Sequence, residues 1–212
     1  MSKLSLQLQK DSLKEMAARK PYMKNLAGFE YFVLPRVYKG AVDTKLFCES
    51  LPVKKGDEVW DIGTGTGLIA LQAKKKGASY VLATDLNPEA VKNANKNSKH
   101  LDLTIDVKKA DLFGNIRKRF DIISFNPPFT DQKPTSPYAI CFWDDGHATV
   151  RRFFKGIQGY LKPKGRAFIG WSSFSGVRKL KKIANEYHFN LKEVARKRGK
   201  RRFTMYMFEI KF

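Results

Sequence analysis

Two groups of residues carry types and spacing that can do chemistry. The first is Asp61-Ile62-Gly63-Thr64-Gly65-Thr66-Gly67, an acid followed by three glycines at alternate positions. An apolar run, Val59-Trp60, leads in and an apolar helical pattern, Leu68 to Leu71, leads out. That order reads as a buried strand, a tight turn and a helix start. Glycine in such a turn tolerates positive φ and lets a ligand come close to the backbone. The helix start offers free N–H groups and the positive end of its dipole. A dinucleotide fingerprint would space its glycines as G-x-G-x-x-G, with no acid ahead of them. A second acid, Asp85, ends the apolar run Val81-Leu82-Ala83-Thr84 twenty residues after Gly65, where a carboxylate can meet ribose hydroxyls. Two acids around a glycine turn favour a zwitterionic nucleoside over a dinucleotide. The second group, Asn126-Pro127-Pro128-Phe129, ends the run Phe120–Phe125, because two prolines cannot continue a central strand.

The glycine segment resembles the cofactor-binding motif of class I S-adenosylmethionine-dependent methyltransferases. The tetrapeptide is similar to the Asn/Asp-Pro-Pro-aromatic motif of the members that methylate planar nitrogens. The resemblance covers residues 35 to 212. It implies S-adenosylmethionine as cofactor and S-adenosylhomocysteine as product. It places Asp61, Gly63, Thr64, Gly65, Gly67, Asp85 and Leu86 on the cofactor side. Asp111 and Leu112 are expected beside the adenine, where the Asp111 carboxylate can accept the amino hydrogens. Pro35-Arg36, followed by Thr44 in a helix, loosely matches a segment that caps the cofactor in the amino-methylating branch, so Thr44 is a further cofactor-side candidate.

For Asn126, Pro127, Pro128 and Phe129 the resemblance implies the catalytic corner, with Asn126 also touching the cofactor. The physical reason is specific. An exocyclic amine or amide nitrogen is a weak nucleophile because its lone pair is delocalised. The Asn126 side-chain oxygen and the Pro127 carbonyl can accept its two hydrogens and aim the lone pair at the methyl group. Phe129 can stack on the planar group.

The elements that must hold these groups alternate strand and helix. With the resemblance, this implies an α/β, Rossmann-like, doubly wound sheet of seven mostly parallel strands with an antiparallel C-terminal strand. Residues 1–50 read as a helical and extended cap and 51–212 as the methyltransferase domain. Ser12 with Glu15 has the spacing of a capping box for a short first helix. Phe29–Pro35 is rich in strand formers. Asn87-Pro88-Glu89 starts a helix, and Thr104–Val107 is a short strand. The polar loop 130–147 suits a substrate loop. Its Asp144, Asp145 and His147 read as a capping segment for the helix 148–161, and no metal site is expected. Lys162–Gly165 is a turn before the strand 166–171, and 177–186 is a basic helix. Phe189–Val194 and Phe203–Phe212 form a hairpin joined by the cationic stretch 196–202.

The charge is unusual. There are 41 Lys and Arg against 20 Asp and Glu, a formal net of +21, which favours a partner rich in phosphates. Arg198, Lys200 and Arg201 in the hairpin connection are therefore candidate RNA contacts. The expected substrate is an RNA base amine, adenine N6 or guanine N2, in rRNA or tRNA. The alternative is a glutamine amide in a release factor or another ribosome-associated protein, and a third reading is an RNA-binding adaptor without turnover. Two distant cysteines and the lack of a long apolar run suit a cytoplasmic protein without membrane contact.

Overall fold

The computed structural model describes residues 3–199 and 203–212. Helix α1 (Lys3–Ala18) leads into an antiparallel pair, β1 (Tyr22–Leu26) and β2 (Phe29–Val33), and then α2 (Val42–Ser50). A strand–helix alternation follows: β3 (Glu58–Ile62), α3 (Leu68–Lys75), β4 (Tyr80–Asp85), α4 (Pro88–His100), β5 (Asp106–Lys109), β6 (Phe120–Phe125), α5 (Ala148–Gly156), β7 (Leu161–Ser172) and α6 (Val177–Asn185). The chain closes with the hairpin β8 (Asn190–Arg198) and β9 (Thr204–Lys211).

The main sheet runs β5-β4-β3-β6-β7-β9-β8. Strands β3 to β7 pair in parallel, and β9 is antiparallel to both of its neighbours. This is the seven-stranded doubly wound arrangement expected from the sequence. Its central strands are apolar on both faces because helices cover both. In β3, Val59 joins one core with Phe47, Leu71 and Phe168, while Trp60 joins the other with Phe120, Ile123 and Phe153. The Trp60 indole is fully buried and its Nε1 donates to Thr84 Oγ1 at 2.9 Å.

The winding reverses at β3, which has β4 on one side and β6 on the other. Open α/β sheets bind ligands at such a reversal, outside the carboxyl ends of the strands. The register sharpens this, since Ile62 lies opposite Phe125. Gly63 and Asn126 therefore leave neighbouring strands side by side.

Helix α4 fastens the N-terminal segment to this end of the sheet. Asn87 caps it, its side chain accepting from Glu89 N at 3.0 Å, with Pro88 in the first turn. Two fully buried asparagines then replace a strand partner for β2. Asn97 Oδ1 accepts from Phe32 N at 2.8 Å, and its Nδ2 donates to Phe32 O at 3.0 Å and Thr66 O at 2.9 Å. Asn93 Oδ1 accepts from Leu34 N at 2.7 Å.

Several sequence expectations shift. Ser12 lies inside α1 and is no N-cap, because the helix spans Lys3–Ala18. The strand β1, short and half exposed, carries no apolar alternation and escapes pattern reading. Strand β5 sits two residues later than expected, and α5 is shorter, continuing as a 3-10 turn over Ile157–Tyr160. The turn 162–165 is a bulge within β7: Phe120 pairs with Leu161 but Ile122 pairs with Arg166. Strand β8 runs through Arg198, so much of the cationic stretch is strand rather than turn.

Asn97→Ala removes partners from Phe32 N and from Thr66 O together. It is expected to lower the unfolding free energy by about 1–3 kcal/mol, measured by urea denaturation. Amide hydrogens of residues 22–34 should exchange faster than those of the central strands.

Candidate active site

The glycine turn takes its shape from two different demands. Gly65 (φ +56°) has open space where a Cβ would point, so its outer side is free for a ligand. Gly67 (φ +87°) faces inward, and a Cβ there would lie 3.1 Å from Ala94 Cα. It permits close contact between the start of α3 and α4 and stands behind the turn.

Asp61 also lies beneath the turn. It is 1% exposed, and its carboxylate accepts from Thr64 Oγ1 at 2.7 Å and Ser124 Oγ at 2.8 Å. Burial pushes this carboxyl up to about 7, against the pull of the two hydroxyls. Asp85 accepts from Gly65 N and from Asn87 N, both at 2.9 Å, which ties the end of β4 to the glycine turn. Burial raises its pKa too, opposed by these backbone bonds. Among the described residues, neither carboxylate has a basic side chain within 4.0 Å.

A cavity of about 340 Å³ opens at the reversal point. Its wall includes Thr44, Gly63, Thr64, Gly65 and Asp85 on one side. Leu86, Asp111 and Leu112 line the same space, and so does the whole corner Asn126-Pro127-Pro128-Phe129. Asp111 is held by Arg152, Nη2 to Oδ2 at 3.0 Å. Leu86 is 44% exposed at the rim. Of the residues expected on the cofactor side, Asp61 and Gly67 alone are set back from the wall.

At the corner, Asn126 Nδ2 donates to Asp43 Oδ2 at 2.6 Å. Its Oδ1 is buried with no hydrogen-bond partner among the described residues, which is uncommon for a buried polar atom. Phe129 stands edge-on to Trp171 and Phe174, each 6.1 Å away between ring centres. The loop 130–147 forms the far wall through Pro134, Tyr138, Phe142 and Trp143. Helix α1 braces it from outside: Gln9 Nε2 donates to Thr130 Oγ1 at 2.7 Å and Trp143 Nε1 donates to Gln9 Oε1 at 2.8 Å. Asp144 accepts from Thr149 N and Val150 N in the first turn of α5, a capping geometry. His147 is buried with no partner for either nitrogen among the described residues, and burial lowers its pKa.

The structure does not bring Arg198 to the cavity. It is exposed at the end of β8, the edge strand, separated from β6 by β7 and β9. Lys200 and Arg201 lie outside the described residues. Sequence reading passed over Asp43, whose signal was its place beside Thr44 in α2, and the aromatic lining of the loop.

Residues 38–206 match the family model described as the methyltransferase small domain. The chain belongs to that family. It is 37% identical over 157 residues to a putative protein N5-glutamine methyltransferase of Methanocaldococcus jannaschii, covering 71% of this chain and 80% of that one. It is 32% identical over 185 residues to the release factor glutamine methyltransferase of Streptococcus pneumoniae, covering 77% of this chain and 66% of the relative. In architecture it resembles a T. thermophilus 16S rRNA N2 methyltransferase in complex with AdoMet and guanosine, with a TM-score of 0.65 and 22% identity over 90% of this chain and 50% of that one. This small-domain methyltransferase is thus an S-adenosylmethionine-dependent N-methyltransferase. Its cavity fits such a donor on its own terms, with an open Gly65 and the carboxylates of Asp43 and Asp85 on a wall suited to a ligand that carries positive charge.

The Asp61 titration gives a test with a definite sign. A carboxyl with a higher pKa folded than unfolded (about 3.9 when free) binds its proton more tightly in the folded state. It therefore costs stability as pH rises from about 4 through about 7. Ligand-free Asp61→Asn is expected to melt on the order of 10 °C above wild type at pH 8, the gap closing toward pH 4. Calorimetric scans across that range measure it.

Proposed function

We propose that this methyltransferase transfers a methyl group to the side-chain amide nitrogen of a glutamine in a protein. The observation that carries N-methylation is the corner itself: a buried Asn126 oxygen without a partner among the described residues, on the wall of the cavity that holds the glycine turn. The amide is favoured over a base by the two glutamine methyltransferases among the relatives, one of them matched over most of its length.

In this reading S-adenosylmethionine supplies the methyl group. The turn at Gly63–Gly65 holds the donor, with Asp85 at its ribose, Asp111 and Leu112 at its adenine and Thr44 at its outer side. Asn126 Oδ1 and the Pro127 carbonyl accept the two hydrogens of the target amide, which lifts its lone pair out of conjugation. Phe129 lies along the planar group and the aromatic loop wall keeps water away. Residues 1–50 serve as the cap that braces this loop.

A second reading, transfer to an RNA base amine in rRNA or tRNA, is favoured by the net charge of +21. It also draws on exposed Arg178, Lys181 and Lys182 on α6 and Arg198 on β8. The same basic surface suits a cytoplasmic protein substrate carried by the ribosome.

Cell extract incubated with methyl-labelled donor separates the two. Label that survives ribonuclease and is lost to protease supports glutamine, and digestion should yield N5-methylglutamine; label lost to ribonuclease overturns the amide reading. Asn126→Ala should keep donor affinity within about threefold and lose transfer by on the order of 10²-fold or more. Full activity in that variant contradicts the role given to the corner.

A further inference from the structure

Asp43 has no part in the chemistry described so far. It stands in the first turn of α2, is 3% exposed and lines the cavity beside Asn126. Its carboxylate takes two hydrogen bonds from neutral donors, Tyr38 Oη to Oδ1 at 2.9 Å and Asn126 Nδ2 to Oδ2 at 2.6 Å. Among the described residues no basic side chain lies within 4.0 Å of it. A buried carboxylate without a cation is costly, which makes its place against Asn126 informative.

The two ends of an asparagine amide are nearly the same size and differ only in hydrogen-bonding sense. A target –NH2 group needs the oxygen; the nitrogen end would set donor against donor. An ionised carboxylate only accepts, so Asp43 can be met only by Nδ2, and Oδ1 is thereby turned away from α2. The bond is charge-assisted and short, which fixes the amide more firmly than a neutral partner would. Donation into a carboxylate also draws electron density toward Oδ1 and strengthens it as an acceptor. Two neighbours support the arrangement. Tyr38 fixes the carboxylate from its other oxygen. Gly170 on β7 leaves room for Oδ1, since a Cβ there would lie 2.5 Å from that oxygen and 2.9 Å from Phe47 Cε2.

We infer that Asp43 is the positioning residue that sets the Asn126 amide with its oxygen free for the acceptor nitrogen. In the step it serves, the nitrogen lone pair forms the N–C bond as the C–S bond gives its electrons to sulfur, and the nitrogen then loses one proton. The inference rests on the N-methylation reading and holds for an amide or a base amine alike.

The test uses the full chain as wild type, Asp43→Asn, Asn126→Ala and the double variant. The acceptor is whichever extract fraction wild type labels, and donor and product binding are followed by calorimetry. Asp43→Asn should lower kcat on the order of tenfold to a hundredfold, with acceptor KM and affinity for S-adenosylmethionine changed less than about threefold. In the Asn126→Ala background it should cost less than about twofold more, because Asp43 acts through Asn126. In ligand-free, nitrogen-15-labelled protein, the Asn126 side-chain amide pair, identified by its loss in Asn126→Ala, should shift on Asp43→Asn.

An unmoved amide pair, a kcat within twofold of wild type, or losses that multiply in the double variant would each overturn the inference. So would a fall in donor affinity that matches the fall in kcat, which would make Asp43 a donor ligand. Tyr38→Phe, which removes one bond to the same carboxylate, should act in the same direction with a smaller loss, and covers the case in which Asp43→Asn does not fold. If wild type labels no fraction at all, the N-methylation reading fails, while the amide shift still decides the orientation.

Discussion

The arrangement depends on one register: Ile62 of β3 opposite Phe125 of β6. These strands are far apart in the chain and meet only because the sheet reverses its winding between them. The glycine turn and the Asn126 corner both leave the sheet within a residue or two of that pair. A slip of one residue would turn Asp61 and Trp60 to opposite faces, breaking the bond to Ser124 and expelling the indole from its core. The buried side chains on both faces thus hold the register, and the register holds the glycine turn against the Asn-Pro-Pro-Phe corner.

Around this pair the charge is the reverse of the molecule's. A chain with a net of +21 buries Asp43 and Asp61 and half-buries Asp85 at one end of the sheet. Among the described residues they hold hydroxyls, backbone N–H groups and an amide instead of basic side chains. Such carboxylates weigh against the ligand-free fold and favour a cationic guest. Surface charge and site charge are therefore opposite in sign, and the site suits a cationic donor.

Much of this was legible in the sequence because it is local. Asp-x-Gly-x-Gly-x-Gly, Asp85 and Asn-Pro-Pro-Phe each sit where a strand ends, and apolar runs mark those strands. The mostly parallel, doubly wound sheet with its antiparallel C-terminal strand followed from strand–helix alternation together with the family resemblance; the order of the strands did not. What escaped was non-local or irregular. Asp43 meets Asn126 across 83 residues of sequence, and nothing in either neighbourhood announces the contact. Strand β1 is held by pairing with β2 and carries no apolar pattern of its own. The bulge in β7 hides a turn inside a strand, and β8 extends into cationic residues because an edge strand keeps half its side chains in water.

The central claim is that a sulfonium donor sits at the glycine turn beside this corner. Isothermal titration of S-adenosylmethionine into folded, ligand-free protein tests it most directly. Saturable binding of one donor per chain is the predicted result. Absence of heat at two well-separated temperatures, with the fold intact by circular dichroism, would contradict the account.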